Sequence, residues 1–298
     1  MCRHEAVPAS PGRFLGKLGL VAAVAVVLGG VAALTTCATP PASPPHEDRG
    51  AADGAHSLAP ETPSDRVDWR VDPASPMARS PFTITYEVRD LAGKTVRDFD
   101  VVHEKLTHLI VVSSDLVYFD HIHPEWRGDH FEVKTTVPHA GSYKLFADLT
   151  PSEGKQLISP FTLSVGGANP PAAVPLAIDS NLTKDFGGLR VTLVPDMSPL
   201  RAGKATMMTF RLADAESGRP VRDLGRYLGA FGHCVIISED TETFLHTHPM
   251  DERKDDACGG PDVAFHSTFP SAGPWKIWAQ FNRHGKIVTA EFVVSVVD

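Results

Sequence analysis

The chain repeats itself, and that limits what it can fold into more than any other feature. Residues 108–124 read HLIVVSSDLVYFDHIHP and residues 233–249 read HCVIISEDTETFLHTHP. Seven of these 17 positions are identical without a gap: His, Ser, Asp, Phe, His, His and Pro. Upstream, Val96-Arg97-Asp98 matches Val221-Arg222-Asp223, and Gly93 matches Gly218. Downstream, VPHAGSYKLFAD matches FPSAGPWKIWAQ, and both copies close on a β run, FTLSV and FVVSV. Two halves of one origin must reach one fold. The repeats span 66–166 and 176–298, joined by a Gly/Pro-rich linker over 167–175, and each has the length of a single β-sandwich.

The local pattern agrees. Phe82, Ile84, Tyr86 and Val88 alternate with polar residues, as do Phe131, Val133, Thr135 and Val137, the signature of half-buried strands. No long 3.6-residue apolar period follows the N-terminal segment. Gly141-x-Tyr143 and Gly273-x-Trp275 each place an aromatic residue at a strand start after a turn, as in a tyrosine corner. The expected fold is all-β: two tandem immunoglobulin-like β-sandwich domains after an N-terminal signal or anchor segment.

Each repeat carries H-x12-H-x-H-P, giving His108, His121 and His123, then His233, His246 and His248. His121 and His123 stand two apart on a strand and share a face. A hairpin turning at Ser114-Asp115 sets His108 across from His121, and a turn at Glu239-Asp240 does the same for His233 and His246. The reading predicts three convergent imidazoles per domain, at a partly open sandwich rim, with Ile110, Val112, Val117 and Phe119 continuing the same face as core. Such a triad suits Cu(II), Zn(II) or Ni(II). His103, just before the first triad strand, and Met250, after the second H-x-H-P, are further ligand candidates. Cys234 is expected on the face opposite His233 and to pair with Cys258 as a disulfide, given export.

Export rests on the N-terminus. Arg13 and Lys17 precede an uncharged apolar run from Leu18 to Leu34 that ends in Leu34-Thr35-Thr36-Cys37. This resembles a bacterial lipobox over 1–37, with Cys37 as the lipidated residue, although Thr36 departs from the usual small residue. An uncleaved anchor and an ordinary cleaved signal are the alternatives. All three place the body outside the cytoplasm, attached to a membrane in the first two cases. Residues 38–65 carry six prolines among Ala, Ser and Gly, and read as a disordered tether.

Composition removes other classes. The net charge is −8, against the clustered Lys/Arg that non-specific nucleic-acid binding needs. No type 1 copper order of Cys, His and Met is present, and neither H-E-x-x-H nor G-x-S-x-G occurs. The H-x-H lacks the later Glu and framing glycines of a cupin. No general base recurs beside the histidines, because Asp115 and Asp240 fall at turns. A non-enzymatic protein is therefore expected.

The run HLIVVSSDL, then FDHIHP and AGSYKLFAD, resembles the YtkA-like group of exported bacterial domains. The resemblance implies small immunoglobulin-like β-sandwiches, often lipid-anchored, in cell-envelope and copper- or oxidase-related settings. It covers both repeats, with departures at Cys234, the 250–261 insertion and Trp275. Two functions remain open at this stage. One is an envelope-tethered binder of a transition metal. The other is an immunoglobulin-like interaction module with an envelope protein partner, whose histidines are structural.

Overall fold

In a computed structural model, residues 65–152, 154–168, 175–247, 249 and 258–298 are described. The signal, Cys37 and the tether therefore lie outside the described residues, as do His248 and Met250. The described residues belong to one compact unit that contains both repeats.

The first repeat has eight strands: β1 (Arg66–Asp72), β2 (Phe82–Arg89), β3 (Thr107–Ser113), β4 (Phe119–Ile122), β5 (Glu125–Trp126), β6 (Phe131–Thr135), β7 (Gly141–Leu149) and β8 (Leu157–Val165). They form two sheets, ordered β1-β2-β6-β5 and β4-β3-β7-β8. The second repeat has β9 (Thr183–Phe186), β10 (Leu189–Pro195), β11 (Leu200–Arg201), β12 (Ala205–Asp214), β13 (Leu224–Gly225), β14 (His233–Ser238), β15 (Phe244–Thr247), β16 (Asp262–Thr268), β17 (Gly273–Arg283) and β18 (Lys286–Val297). Its sheets run β16-β12-β10-β9 and β11-β18-β17-β14-β15, with β13 pairing β17. In the first half the chain makes β1 and β2 in one sheet, crosses to β3 and β4 in the other, returns for β5 and β6 and crosses back for β7 and β8, the Greek-key pattern of an immunoglobulin-like sandwich. The all-β, two-sandwich fold is as the sequence predicts.

Each sandwich has its own core. Phe82, Ile84, Tyr86 and Val88 of β2 face Leu109, Val111, Tyr143 and Leu145 in the first. Val191, Phe210, Cys234, Ile236, Trp275, Ile277 and Phe292 fill the second. The corner motif is present twice. Tyr143 Oη donates to His139 O at 2.8 Å, and Trp275 Nε1 donates to Ser271 O at 3.2 Å.

A third apolar cluster lies between the sandwiches. Ile110, Val112, Leu116 and Phe146 of the first repeat meet Val235, Ile237, Phe244 and Trp278 of the second. These side chains occupy the outer faces of the β3/β7 and β14/β17 pairs, opposite the residues in the sandwich cores. The contact is reciprocal. Phe119 stacks on Trp278 at 4.8 Å between centroids, and Phe244 stacks on Phe146 at 4.9 Å, both at 15°. Phe119 and Phe244 are equivalent positions of the repeat, as are Phe146 and Trp278. The two halves thus exchange identical contacts about a pseudo-two-fold axis. Lys144 Nζ adds an ion pair to Glu242 Oε1 at 2.9 Å across the same seam.

The hairpin register differs from the expected one by two residues. Ile110 pairs His121 and Val112 pairs Phe119, so the turn spans Ser114–Val117. Continuing that register by one residue sets His108 opposite His123. The second hairpin matches, with Val235 paired to His246. The cause is the turn chemistry. Asp115 Oδ1 accepts from Val117 N at 3.2 Å, and Leu116 takes a left-handed φ of 56°. Asp240 accepts from Glu242 N at 2.9 Å, and Thr241 has φ 59°. A shift of two preserves the face, so the histidines stay together. It also expels Val117, which is 70% exposed where core was expected, and buries Leu116 in its place.

The expected Cys234–Cys258 disulfide does not form. Cys234 is a free, fully buried thiol, while Cys258 is disulfide-bonded elsewhere. The parity that turns Cys234 from His233 points its sulfur into the second core, beside Thr247. Burial pushes its pKa up to about 12. A thiol reagent should leave Cys234 unlabelled in the native protein at pH 8 and label it stoichiometrically in denaturant. Native labelling at the denatured rate would contradict this burial.

Candidate metal centre

The strands that join the sandwiches also carry the histidines. His108 is the second residue of β3 and His233 the first of β14, on the outer faces that continue into the interface cluster. His121 and His246 sit on the neighbouring strands β4 and β15. The five described histidines of the two expected rim sites therefore gather in one largely buried group. His108 is 2% exposed, His121 7% and His233 0%. The correction has a simple cause: the outer sheet faces, read as rims of separate domains, cover each other.

The first triad converges as expected. His108, His121 and His123 offer nitrogens that all lie within 4.8 Å of one another. Ring centroids are 5.2 Å apart for His108–His121, 5.1 Å for His108–His123 and 4.8 Å for His121–His123. The second repeat's rings close on the same place. His246 lies 5.2 Å from His108 and 5.6 Å from His121, and His233 lies 6.1 Å from His121. His103, carried by a loop at φ 48°, stands 5.4 Å from His233 and 6.3 Å from His108.

Hydrogen bonds on the far side of each ring assign its tautomer. His108 Nε2 donates to Val102 O at 3.0 Å, and His233 Nε2 donates to Tyr227 O at 3.0 Å. His121 Nδ1 donates to Gln280 Oε1 at 2.8 Å, an amide oriented by its own Nε2 reaching Thr289 Oγ1 at 3.4 Å. His246 Nδ1 donates to Asp148 Oδ2 at 2.9 Å. Asp148 and Gln280 are equivalent positions of the repeat, so each half braces a histidine of the other. Both lie in register opposite the first histidine of their own half, His108 and His233. The sequence offered a signal for them: a polar residue at matched positions, FAD and WAQ, in otherwise apolar strands.

The consequence is chemical. With their outer nitrogens protonated, His108 Nδ1 and His121 Nε2 both present lone pairs, 3.0 Å apart. His123 Nε2 is buried and has no hydrogen-bond partner. Lone pairs facing each other repel unless a cation lies between them. A proton does not serve near neutral pH: burial, then the neighbouring rings, lowers His121 and His123 to about 3. His233 is lowered to about 3 and His246 well below its ordinary value for the same reasons. Converging neutral imidazoles, each oriented by a backbone carbonyl, carboxylate or amide behind it, have the donor set and outer support of a transition-metal site.

No curated relative matches the chain. Solved structures with some similarity include the Escherichia coli adhesin FdeC, at 15% identity and a TM-score of 0.26, over 78% of this chain and 64% of that one. The chain thus spans under two thirds of that adhesin structure. Others are domains 4 and 5 of the S-layer protein SbsC, at 12% identity and 0.23 over 78% and 98%, and a Salmonella alpha-2-macroglobulin mutant, at 10% and 0.28 over 81% and 15%. One family model matches residues 62–167 and 184–298, covering most of both sandwiches. The chain belongs to that family, described as a domain of unknown function, DUF8832.

Proposed function

We propose that this is an exported, membrane-tethered, non-enzymatic protein that binds a transition metal ion, copper in preference to zinc or nickel, in the histidine centre between its sandwiches. The role is to hold the ion, or pass it on, outside the cytoplasm. One observation carries the reading: the facing lone pairs of His108 and His121, with the buried and unbonded Nε2 of His123 beside them. Three imidazole nitrogens with room for a further ligand suit these ions. The apolar run before Cys37 and the YtkA-like motif support export and the copper setting.

The test is calorimetric titration of residues 60–298 with Cu(II), Zn(II) and Ni(II). Tight binding is expected, and changing His121 and His123 together to Ala should abolish it. His246→Ala should also weaken it, because that ring adjoins the triad across the domain seam. At an ion concentration 100 times Kd, binding to the native state alone adds about 2.7 kcal/mol, so a chelator should lower Tm. Binding no stronger than that of scattered surface histidines would overturn the proposal and leave the interaction-module reading.

A further inference from the structure

Granting that metal-binding reading, we propose that the ion held is monovalent, so that the centre takes copper as Cu(I). The argument is one of charge. The cost of burying an ion rises with the square of its charge, so a buried divalent ion depends more than a monovalent one on anionic groups nearby. The donors here are neutral imidazoles, His108, His121 and His123, with His246 and His233 beside them. Charged side chains acting on these rings include one carboxylate, Asp148, and one ammonium, Lys105. Asp148 is buried and bonded to His246, whereas Lys105 is exposed and water screens its charge. Asp120 next to His121 alternates to the other face of β4, where it accepts from Tyr118 Oη at 3.4 Å. Among the described residues that one carboxylate can balance a monovalent ion but leaves a divalent ion with net positive charge in a site that both sandwiches cover. A monovalent d10 ion also accepts three neutral nitrogens without an anionic ligand.

The pseudo-symmetry supplies the perturbation. Gln280 holds His121 as Asp148 holds His246, but without the charge. Gln280→Glu keeps the acceptor and adds a carboxylate. Lys105→Gln removes an exposed, solvent-screened cation and serves as the control.

The experiment titrates the full chain in mild detergent, without oxygen, with Cu(I) against a chromogenic cuprous chelator. Ag(I), a redox-inert monovalent ion, and Zn(II) are titrated in parallel. Cu(I) and Ag(I) should bind about tenfold or more tighter than Zn(II). Gln280→Glu should shift that ratio toward Zn(II) by about tenfold, and Lys105→Gln should leave it within about twofold. Tighter binding of Zn(II) than of either monovalent ion would overturn the inference while leaving the metal centre intact, as would an unmoved ratio in Gln280→Glu. If no ion binds, the metal reading itself fails.

Discussion

Trp278→Ala should destabilise the protein by about 3–5 kcal/mol, among the largest losses any single truncation here will give. Trp278 is 2% exposed, yet it belongs to neither sandwich core. Its ring stacks on Phe119 of the other repeat, so truncation opens a cavity in the seam that neither domain can close alone. Gln280 lies two residues along the same face of β17 and braces His121. Loosening the seam should therefore also weaken metal binding, although Trp278 touches no ligand nitrogen. Denaturant unfolding and the titration above check both effects. Val117→Ala, at a 70% exposed position, is the control and should stay within about 0.5 kcal/mol of wild type. A Trp278→Ala loss no larger than that of Val117→Ala would mean that the seam contributes little.

The second large effect is acid lability of the metal-free protein. His121, His123 and His233 have folded-state pKa values of about 3, below the ordinary 6.5, chiefly through burial. The folded state binds fewer protons than the unfolded chain between these values, so stability rises with pH across that window. The contribution is full above pH 6.5 and is lost as pH falls toward 3. A fully buried histidine contributes a slope of at most about 1.4 kcal/mol per pH unit and the more open His123 less, so together they remove a large part of the usual stability of a domain as pH falls toward 4. Unfolding on acidification from pH 6.5 is expected, followed by tryptophan fluorescence or near-ultraviolet circular dichroism. His123→Leu should flatten the dependence by about one histidine's slope. A protein as stable at pH 4 as at pH 7 would show that the rings are hydrated and not buried.

The sequence by itself determined the two-fold repeat, the sandwich class, the aromatic corners and the shared face of each histidine set. These follow from local rules: strand parity, turn chemistry and the match of one half to the other. Parity also turned Cys234 from the histidines, which is why the disulfide expected with Cys258 conflicts with the same reading that placed Cys234. Register was harder. The Asp115 and Asp240 turns were recognised, but the left-handed residues Leu116 and Thr241 lengthen the loop, and single-chain spacing does not reveal that.

Tertiary structure decided that two sites are one. Hydrophobic burial is non-directional, so an apolar outer face does not say what will cover it. A clue was present in LIVV and CVII, which are continuous apolar runs where β2 alternates. Such runs mark strands buried on both faces. What no local rule could supply was the partner. Asp148 and Gln280 face the histidines of their own half in register, yet they hydrogen-bond those of the other half, because the pseudo-two-fold packing brings those rings nearer. The direction of the imidazole protons, and with it the case for a cation, is set by those long-range contacts.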